Sequence, residues 1–255
     1  MKHLAIGTGA VGYFAYLGAI NKLWDDGKLK NLETISGSSA GSLVTCMVAI
    51  HNFDFRTILR ESLKVPISHL KPQLKSLFDS YGLVPRETIR NLITSVIPNL
   101  TFEQLYQQFP IKIYIAAFCV ELSQTHYFSV DTHPHMSIID ALCMSISVPI
   151  LFSSFKYGPW NYFDGGATET APCGHLVGKD DIAILRLKYS ETYEVKDFVS
   201  YLQLLFCSYL KLRKAYNYPT YFIDLGNTNV MDFGAADTLK LRLFVIGYSD
   251  KRLGE

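Results

Sequence analysis

Blocks of like charge are missing from this sequence: 24 lysines and arginines stand against 23 acids, for a net charge of +1. Charged residues make up only 18% of the chain, with no basic run, which argues against a nucleic-acid groove. Paired cysteines are missing too. Cys46, Cys119, Cys143, Cys173 and Cys207 are scattered and odd in number, without a C-x-x-C pair. That excludes a disulfide framework and a thiolate zinc site, and suits small buried thiols in a reducing compartment. The histidines show no H-x-x-x-H spacing and there is no acidic calcium loop, so neither metal nor cofactor is expected. No repeat, low-complexity tract or linker interrupts the chain, and one domain over residues 1–255 is the economical expectation.

The uncharged stretch Leu4 to Ile20 could imitate the apolar part of a signal peptide. It contains four glycines, ends in Asn21-Lys22 without a small-residue cleavage site, and at about 17 residues is marginal for a membrane span. A buried strand followed by a buried helix accounts for it better, and a cytosolic protein, at most peripheral at membranes, is expected. Apolar residues reach 49% of the composition, enough for a sizeable core.

His3 to Ile6 reads as a short strand running into Gly7-Thr8-Gly9-Ala10-Val11-Gly12. Tyr13 to Asp26 follows as a helix, its apolar face marked by Phe14, Leu17, Ile20 and Leu23. Thr34-Ile35 is a second strand candidate, entering Gly37-Ser38-Ser39-Ala40-Gly41, and Ser42 to His51 reads as a buried helix. Two strand–glycine turn–helix units in succession make an α/β beginning. Further on, Pro85 suits the first turn of a helix over 86–97, and Thr101 to Gln104 fits a capping box. Ile111 to Val120, Thr125 to Val130, Asp181 to Leu187 and Thr220 to Leu225 read as strands. Ser137 to Ser147, Val195 to Leu210 and Ala235 to Ile246 read as helices.

Gly37 to Gly41 is a G-x-S-x-G pentapeptide between a strand and an apolar helix. Such a turn projects Ser39 into a site, with the positive end of the helix behind it. Ser36 and Ser38 are read as structural neighbours. The Gly7–Gly12 loop has the form G-x-G-x-x-G and presents backbone N–H groups to an anion. Three readings stand: a dinucleotide pyrophosphate with Glu33 on the ribose, an oxyanion formed when Ser39 attacks an ester, or a plain tight turn. The Ser39 turn directly after the first βα unit favours the second. Asp164-Gly165-Gly166 taken alone is an ordinary D-G turn. Beside the two glycine loops, Asp164 becomes a candidate base for Ser39. A triad of Ser39, Asp164 and His175 would follow α/β-hydrolase order, but those enzymes place several strands before the nucleophile, and His175 reads as a loop histidine.

In this order, a glycine-rich loop, G-x-S-x-G and D-G-G resemble the patatin-like phospholipase family. Ser145-Ile-Ser147-Val-Pro149-Ile-Leu-Phe152 resembles that family's segment leading toward the aspartate. Phe222-Ile-Asp224 and the region from Asp232 to Tyr248 resemble its C-terminal part. The resemblance covers residues 3 to about 248, most weakly over 52–110. It implies a three-layer α/β/α sandwich with a central mixed, mostly parallel sheet, and a catalytic dyad of Ser39 and Asp164 without histidine. Oxyanion and substrate contacts would fall to Gly7, Thr8, Gly9, Ala10, Gly12 and Ala40, with Gly37, Gly41, Gly165 and Gly166 shaping the turns. The activity implied is cleavage of acyl esters in phospholipids or other acyl lipids, of phospholipase A or lysophospholipase type. The loop departs from the family's usual form at two places, Thr8 for glycine and Val11 for arginine or lysine, so it carries no cation of its own. The rival readings are a catalytically silent scaffold of the same fold and a nucleotide-binding module. Contact with lipid is expected through an apolar rim drawn from residues 63–110, with Leu77, Phe78 and Tyr81 as candidates. Vesicle binding should then depend little on salt.

Overall fold

The structure, a computed structural model, describes residues 1–65, 70, 72–189 and 212–253, with positions 195, 198, 201, 204, 205 and 208 besides. Most of the helical stripe expected over Val195 to Leu210 lies outside the described residues. Among the described residues no helix is long and apolar enough to cross a membrane.

Strand β1 (His3–Ile6) is buried at every position, as a strand covered on both faces must be. It leads through the Gly7–Gly12 loop into α1 (Tyr13–Asp25), then β2 (Thr34–Ser38) and α2 (Ala40–Ile50). Both βα units expected from the sequence are present. Helices α3 (Phe55–Lys64), α4 (Leu74–Ser80), α5 (Arg86–Thr94) and α6 (Phe102–Gln108) follow, with β3 (Gly82–Val84) between α4 and α5. Helix α6 opens on the expected capping box: Thr101 Oγ1 accepts from the Gln104 N–H, and Gln104 Oε1 accepts from the Thr101 N–H. The remaining elements are β4 (Lys112–Cys119), β5 (Gln124–Phe128), α7 (Ile138–Ser145), β6 (Ile150–Phe152), β7 (Phe155–Tyr157), β8 (Trp160–Asp164), β9 (Ile182–Lys188), β10 (Thr220–Asp224) and α8 (Asp237–Tyr248).

The main sheet runs β10-β9-β1-β2-β4-β8-β7, with β5 also paired to β4. The pairs from β10 to β4 are parallel, and those that β4 makes with β5 and β8 are antiparallel. The expected mixed sheet with flanking helices is therefore found. Strands β3 and β6 make a small parallel pair apart from it.

One detail of register positions the site. Ile115 and Ala116 of β4 pair with β2 and with β5, so those two strands occupy opposite edges of β4. Ala117 to Cys119 pair with β5 and with β8, which places β8 on the same edge as β2. Ser38 lies opposite Ala116 and Asp164 opposite Ala117. Strands β2 and β8 therefore meet head to head against consecutive residues of β4, and both C-terminal ends open at one point.

Candidate active site

Ser39 stands between β2 and α2 with φ 54° and ψ −126°, a conformation that costs an L-residue about 1–3 kcal/mol. The glycines around it explain why it persists. The chain doubles back so tightly that a Cβ on Gly37 would lie 2.3 Å from the Gly41 carbonyl, and one on Gly41 would lie 2.4 Å from the Ile6 carbonyl oxygen. No side chain fits at either place. The Ser39 N–H donates to Ser145 Oγ at 3.0 Å, and the Ser39 carbonyl accepts from the Ser42 hydroxyl at 2.6 Å. Ser36 bonds the Leu4 carbonyl, and Ser38 Oγ is buried with no hydrogen bond among the described residues.

Asp164 ends β8 and caps the turn of Gly165 to Ala167, its Oδ1 accepting from the Gly166 N–H at 2.7 Å. Its own N–H donates to the Ser147 carbonyl at 2.9 Å. The C-terminal end of α7 and the turn after it thus grip both residues, Ser39 through the Ser145 hydroxyl and Asp164 through the Ser147 backbone. Only 3% of Asp164 is exposed, and burial pushes its carboxyl up to about 6. The Ser39 hydroxyl, the Gly166 N–H and the Arg213 charge favour the ionised form and only partly offset burial. Oδ2 is buried without a hydrogen bond of ordinary length among the described residues. Ser39 and Asp164 are neighbours whose hydrogen bond is not closed, a looseness common in ligand-free sites.

In the Gly7–Gly12 loop, the N–H groups of Gly7, Val11 and Gly12 are engaged by the carbonyls of Leu185, Val230 and Gly9. Gly7 and Gly12 hold the loop, while the N–H groups of Thr8, Gly9, Ala10 and Ala40 meet no acceptor among the described residues. Ala10 has a positive φ of 43°, so strained residues face the site from both glycine turns. The loop also touches the D-G-G turn, since a Cβ on Gly166 would lie 2.0 Å from the Thr8 methyl.

Ser39, Ala40, Ala10 and Val11 form part of the wall of an apolar cavity of about 140 Å³. Leu43, Met47, Ile93, Ile146 and Phe233 line it further in, and Tyr13 and Ser62 are its other polar side chains. Their hydroxyls bond each other at 2.7 Å, and Ser62 donates on to the Ile58 carbonyl. Val11, where the resemblance would put a cation, faces this cavity. Of residues 63–110, the cavity takes Val65, Leu70 and the Leu92–Ile97 region. Phe78 and Tyr81 are instead 81% and 66% exposed and lie outside its lining.

His175 lies in a single 3-10 turn, Gly174–Leu176, between β8 and β9, with its ring turned inward. Its ring stacks on Tyr114 at 4.2 Å and tilts against Tyr127 at 4.7 Å. Both ring nitrogens are buried without a partner among the described residues, so it bonds neither Ser39 nor Asp164. Glu33 lies beside Lys2, at the N-terminal end of β2. The Gly7–Gly12 loop leaves the C-terminal end of the parallel neighbour β1, so Glu33 cannot meet a ribose held by that loop. Sequence reasoning missed Arg213, whose Nη1 donates to Thr8 Oγ1 and to the Gly166 carbonyl, each at 3.2 Å. No motif surrounds it.

The fold has relatives among solved structures. VipD from Legionella pneumophila superposes with a TM-score of 0.69 at 16% identity, covering 99% of this chain and 66% of that one. The type III effector protein ExoU gives 0.54 at 17% identity, covering 97% and 51%. Among curated sequences, probable lipid hydrolase 463L of Invertebrate iridescent virus 6 is 25% identical over 82% of this chain and 71% of its own length. An uncharacterized protein of Acanthamoeba polyphaga mimivirus is 28% identical over 68% and 60%. Residues 4–177, which include the Ser39 turn, the Gly7–Gly12 loop and the Asp164 turn, match the family model described as patatin-like phospholipase, and this chain belongs to that family.

Proposed function

We propose that the protein is a serine lipid-acyl hydrolase, of phospholipase A or lysophospholipase type, working through Ser39 and Asp164. The observation that carries this reading is the placement of a strained serine on the wall of an apolar cavity, beside a buried carboxylate with one oxygen left over. Family membership and the lipid-hydrolase name of the iridescent-virus relative support it.

Ser39 Oγ attacks the acyl carbonyl carbon while Asp164 Oδ2 takes the hydroxyl proton. The carbonyl π pair moves onto oxygen, and that oxyanion rests on N–H groups drawn from Thr8, Gly9, Ala10 and Ala40. Collapse breaks the ester C–O bond, the alcohol (a lysolipid or glycerol) leaves with the proton from Asp164, and an acyl-enzyme remains. Water then attacks the acyl carbon, gives its proton to Asp164, and the fatty acid departs as the proton returns to Ser39. Oδ1, held by Gly166, keeps the carboxylate oriented throughout. No step requires a metal or cofactor. The acyl chain occupies the apolar cavity, and the lipid reaches it by peripheral contact with a membrane or micelle.

A carboxyl raised to about 6 is largely ionised at pH 7 and can still return a proton. A single ascending limb in kcat/KM centred near pH 6 is therefore expected, measured with a soluble acyl ester from pH 4 to 8. A limb near pH 4 would mean that Asp164 is not the base or is not buried as described. A fluorophosphonate probe should label the wild type and fail to label Ser39→Ala. Labelling that survives the substitution would remove Ser39 as nucleophile.

A further inference from the structure

We propose that Arg213 is a positioning residue that ties the Gly7–Gly12 loop to the Asp164 turn and keeps Asp164 charged; this rests on the dyad reading above. The Gly7–Gly12 loop has no charged residue, and Asp164 must be an anion to accept a proton. Burial opposes the anion; the Ser39 hydroxyl and the Gly166 N–H counter it first, and the Arg213 charge adds to them.

The backbone brings Arg213 there. The Lys214 N–H donates to the Thr168 carbonyl at 2.8 Å, and the Thr170 N–H donates to the Lys214 carbonyl at 3.0 Å. Residue 214 is thereby bridged in parallel to Glu169, shortly after the D-G-G turn. Tyr216 adds a bond from its hydroxyl to Glu169 at 3.1 Å. Arg213 thus has a fixed base, and Nη1 spans two catalytic turns, reaching Thr8 Oγ1 on one and the Gly166 carbonyl on the other. Gly166 is consequently held at both ends, its carbonyl by Arg213 and its N–H by Asp164 Oδ1. Thr8 is held as well, its carbonyl accepting from the Tyr16 hydroxyl at 2.9 Å. Among the described residues, Arg186 of β9 and Tyr16 of α1 also sense Arg213. The threonine at the loop's second position, a departure from the family's usual glycine, acquires a function as the anchor for this arginine.

The test compares pH profiles of kcat/KM on a soluble p-nitrophenyl ester for wild type, Arg213→Met, Arg213→Lys and Thr8→Val. Arg213→Met should lower the plateau about ten- to a hundredfold, the scale of loss from misplaced catalytic groups, and move the ascending limb to higher pH. Arg213→Lys keeps the charge without the planar fork, so its limb should stay in place over a reduced plateau. Thr8→Val removes one anchor and no charge, and should lower the plateau without moving the limb. A limb in Arg213→Met that coincides with the wild type overturns the proposal. Should that variant not fold, Arg213→Lys decides: a wild-type plateau, or a limb that moves, overturns it. Hydrolysis that survives Ser39→Ala would sink the dyad itself. A wild-type-like Arg213→Met in an enzyme silenced by Ser39→Ala would sink only the role of Arg213.

Discussion

Ester turnover should fall by about 10³-fold or more in either Ser39→Ala or Asp164→Asn, and the double variant should be no slower than the slower single one. Residues that act as one unit lose their function together, so each substitution removes nearly everything that the pair contributes. The residue left behind has little to do. With Ser39 replaced, Asp164 has no hydroxyl to deprotonate, and only a poorly placed water remains. With Asp164 replaced, Oγ must lose its proton unaided, and an asparagine amide offers no base. Activity should not vanish entirely, because oxyanion donors and the cavity still bind the ester and its transition state. The measurement is a double-mutant cycle on kcat/KM, with thermal unfolding recorded for each variant to show that the fold survives. Multiplying losses in the double variant would mean two independent roles. Near-full activity in Asp164→Asn together with loss in His175→Phe would put His175 in place of Asp164 as the base.

What the sequence made legible follows from which features are local. The glycines of Gly37 to Gly41 are demanded by a turn five residues long, so the motif carried its own geometry. The same holds for the capping box at Thr101 and for the buried run of β1. The meeting of Ser39 with Asp164 is different. It depends on β2 and β8 sharing one edge of β4 at Ala116 and Ala117, a register between distant strands that no periodicity states. The glycine loops made Asp164 a candidate base for Ser39 and the resemblance joined the two, but neither supplied that register. The committed N–H groups of Gly7 and Gly12 were likewise invisible, since their acceptors, Leu185 and Gly9, become relevant only once β1 pairs with β9 and the loop closes. The exposure of Phe78 and Tyr81 could not be read in advance, because so short a helix has no period that tells an exposed ring from a buried one. Arg213 left no trace at all. A single arginine gains its place from the bridge of Lys214 to Glu169.

Acid should act on stability through His175 and Asp164 with opposite signs, and substituting each should remove its own slope from the difference with the wild type. Burial among Tyr114 and Tyr127 lowers His175 to about 3 from its ordinary 6.5, with the nearby His3 adding to the shift. The unfolded chain then takes up the proton first as pH drops. Stability is lost from about pH 6.5 downward and levels off near pH 3, the loss reaching about 2 kcal/mol by pH 5. Asp164 runs the other way. Its folded value is raised from 3.8 to about 6, so its contribution is fully present below 3.8 and is lost as pH rises through 6. Between pH 8 and pH 5 it returns about 1 kcal/mol. His3, His126 and His133, each lowered by burial, add to the loss on acidification, so both terms are read as differences from the wild type. His175→Phe keeps an aromatic ring between the two tyrosines and removes the titration. Relative to the wild type, it should become steadily more stable as pH falls from 7.5 to 5, by about 2 kcal/mol. Asp164→Asn should move oppositely, most favourable relative to the wild type above pH 7 and losing that advantage below pH 6. Urea unfolding at pH 5, 6, 7 and 8, with unchanged m-values, would read both slopes. If the difference between His175→Phe and the wild type stays flat across that range, His175 takes up its proton inside the fold, and the aromatic enclosure does not keep it neutral.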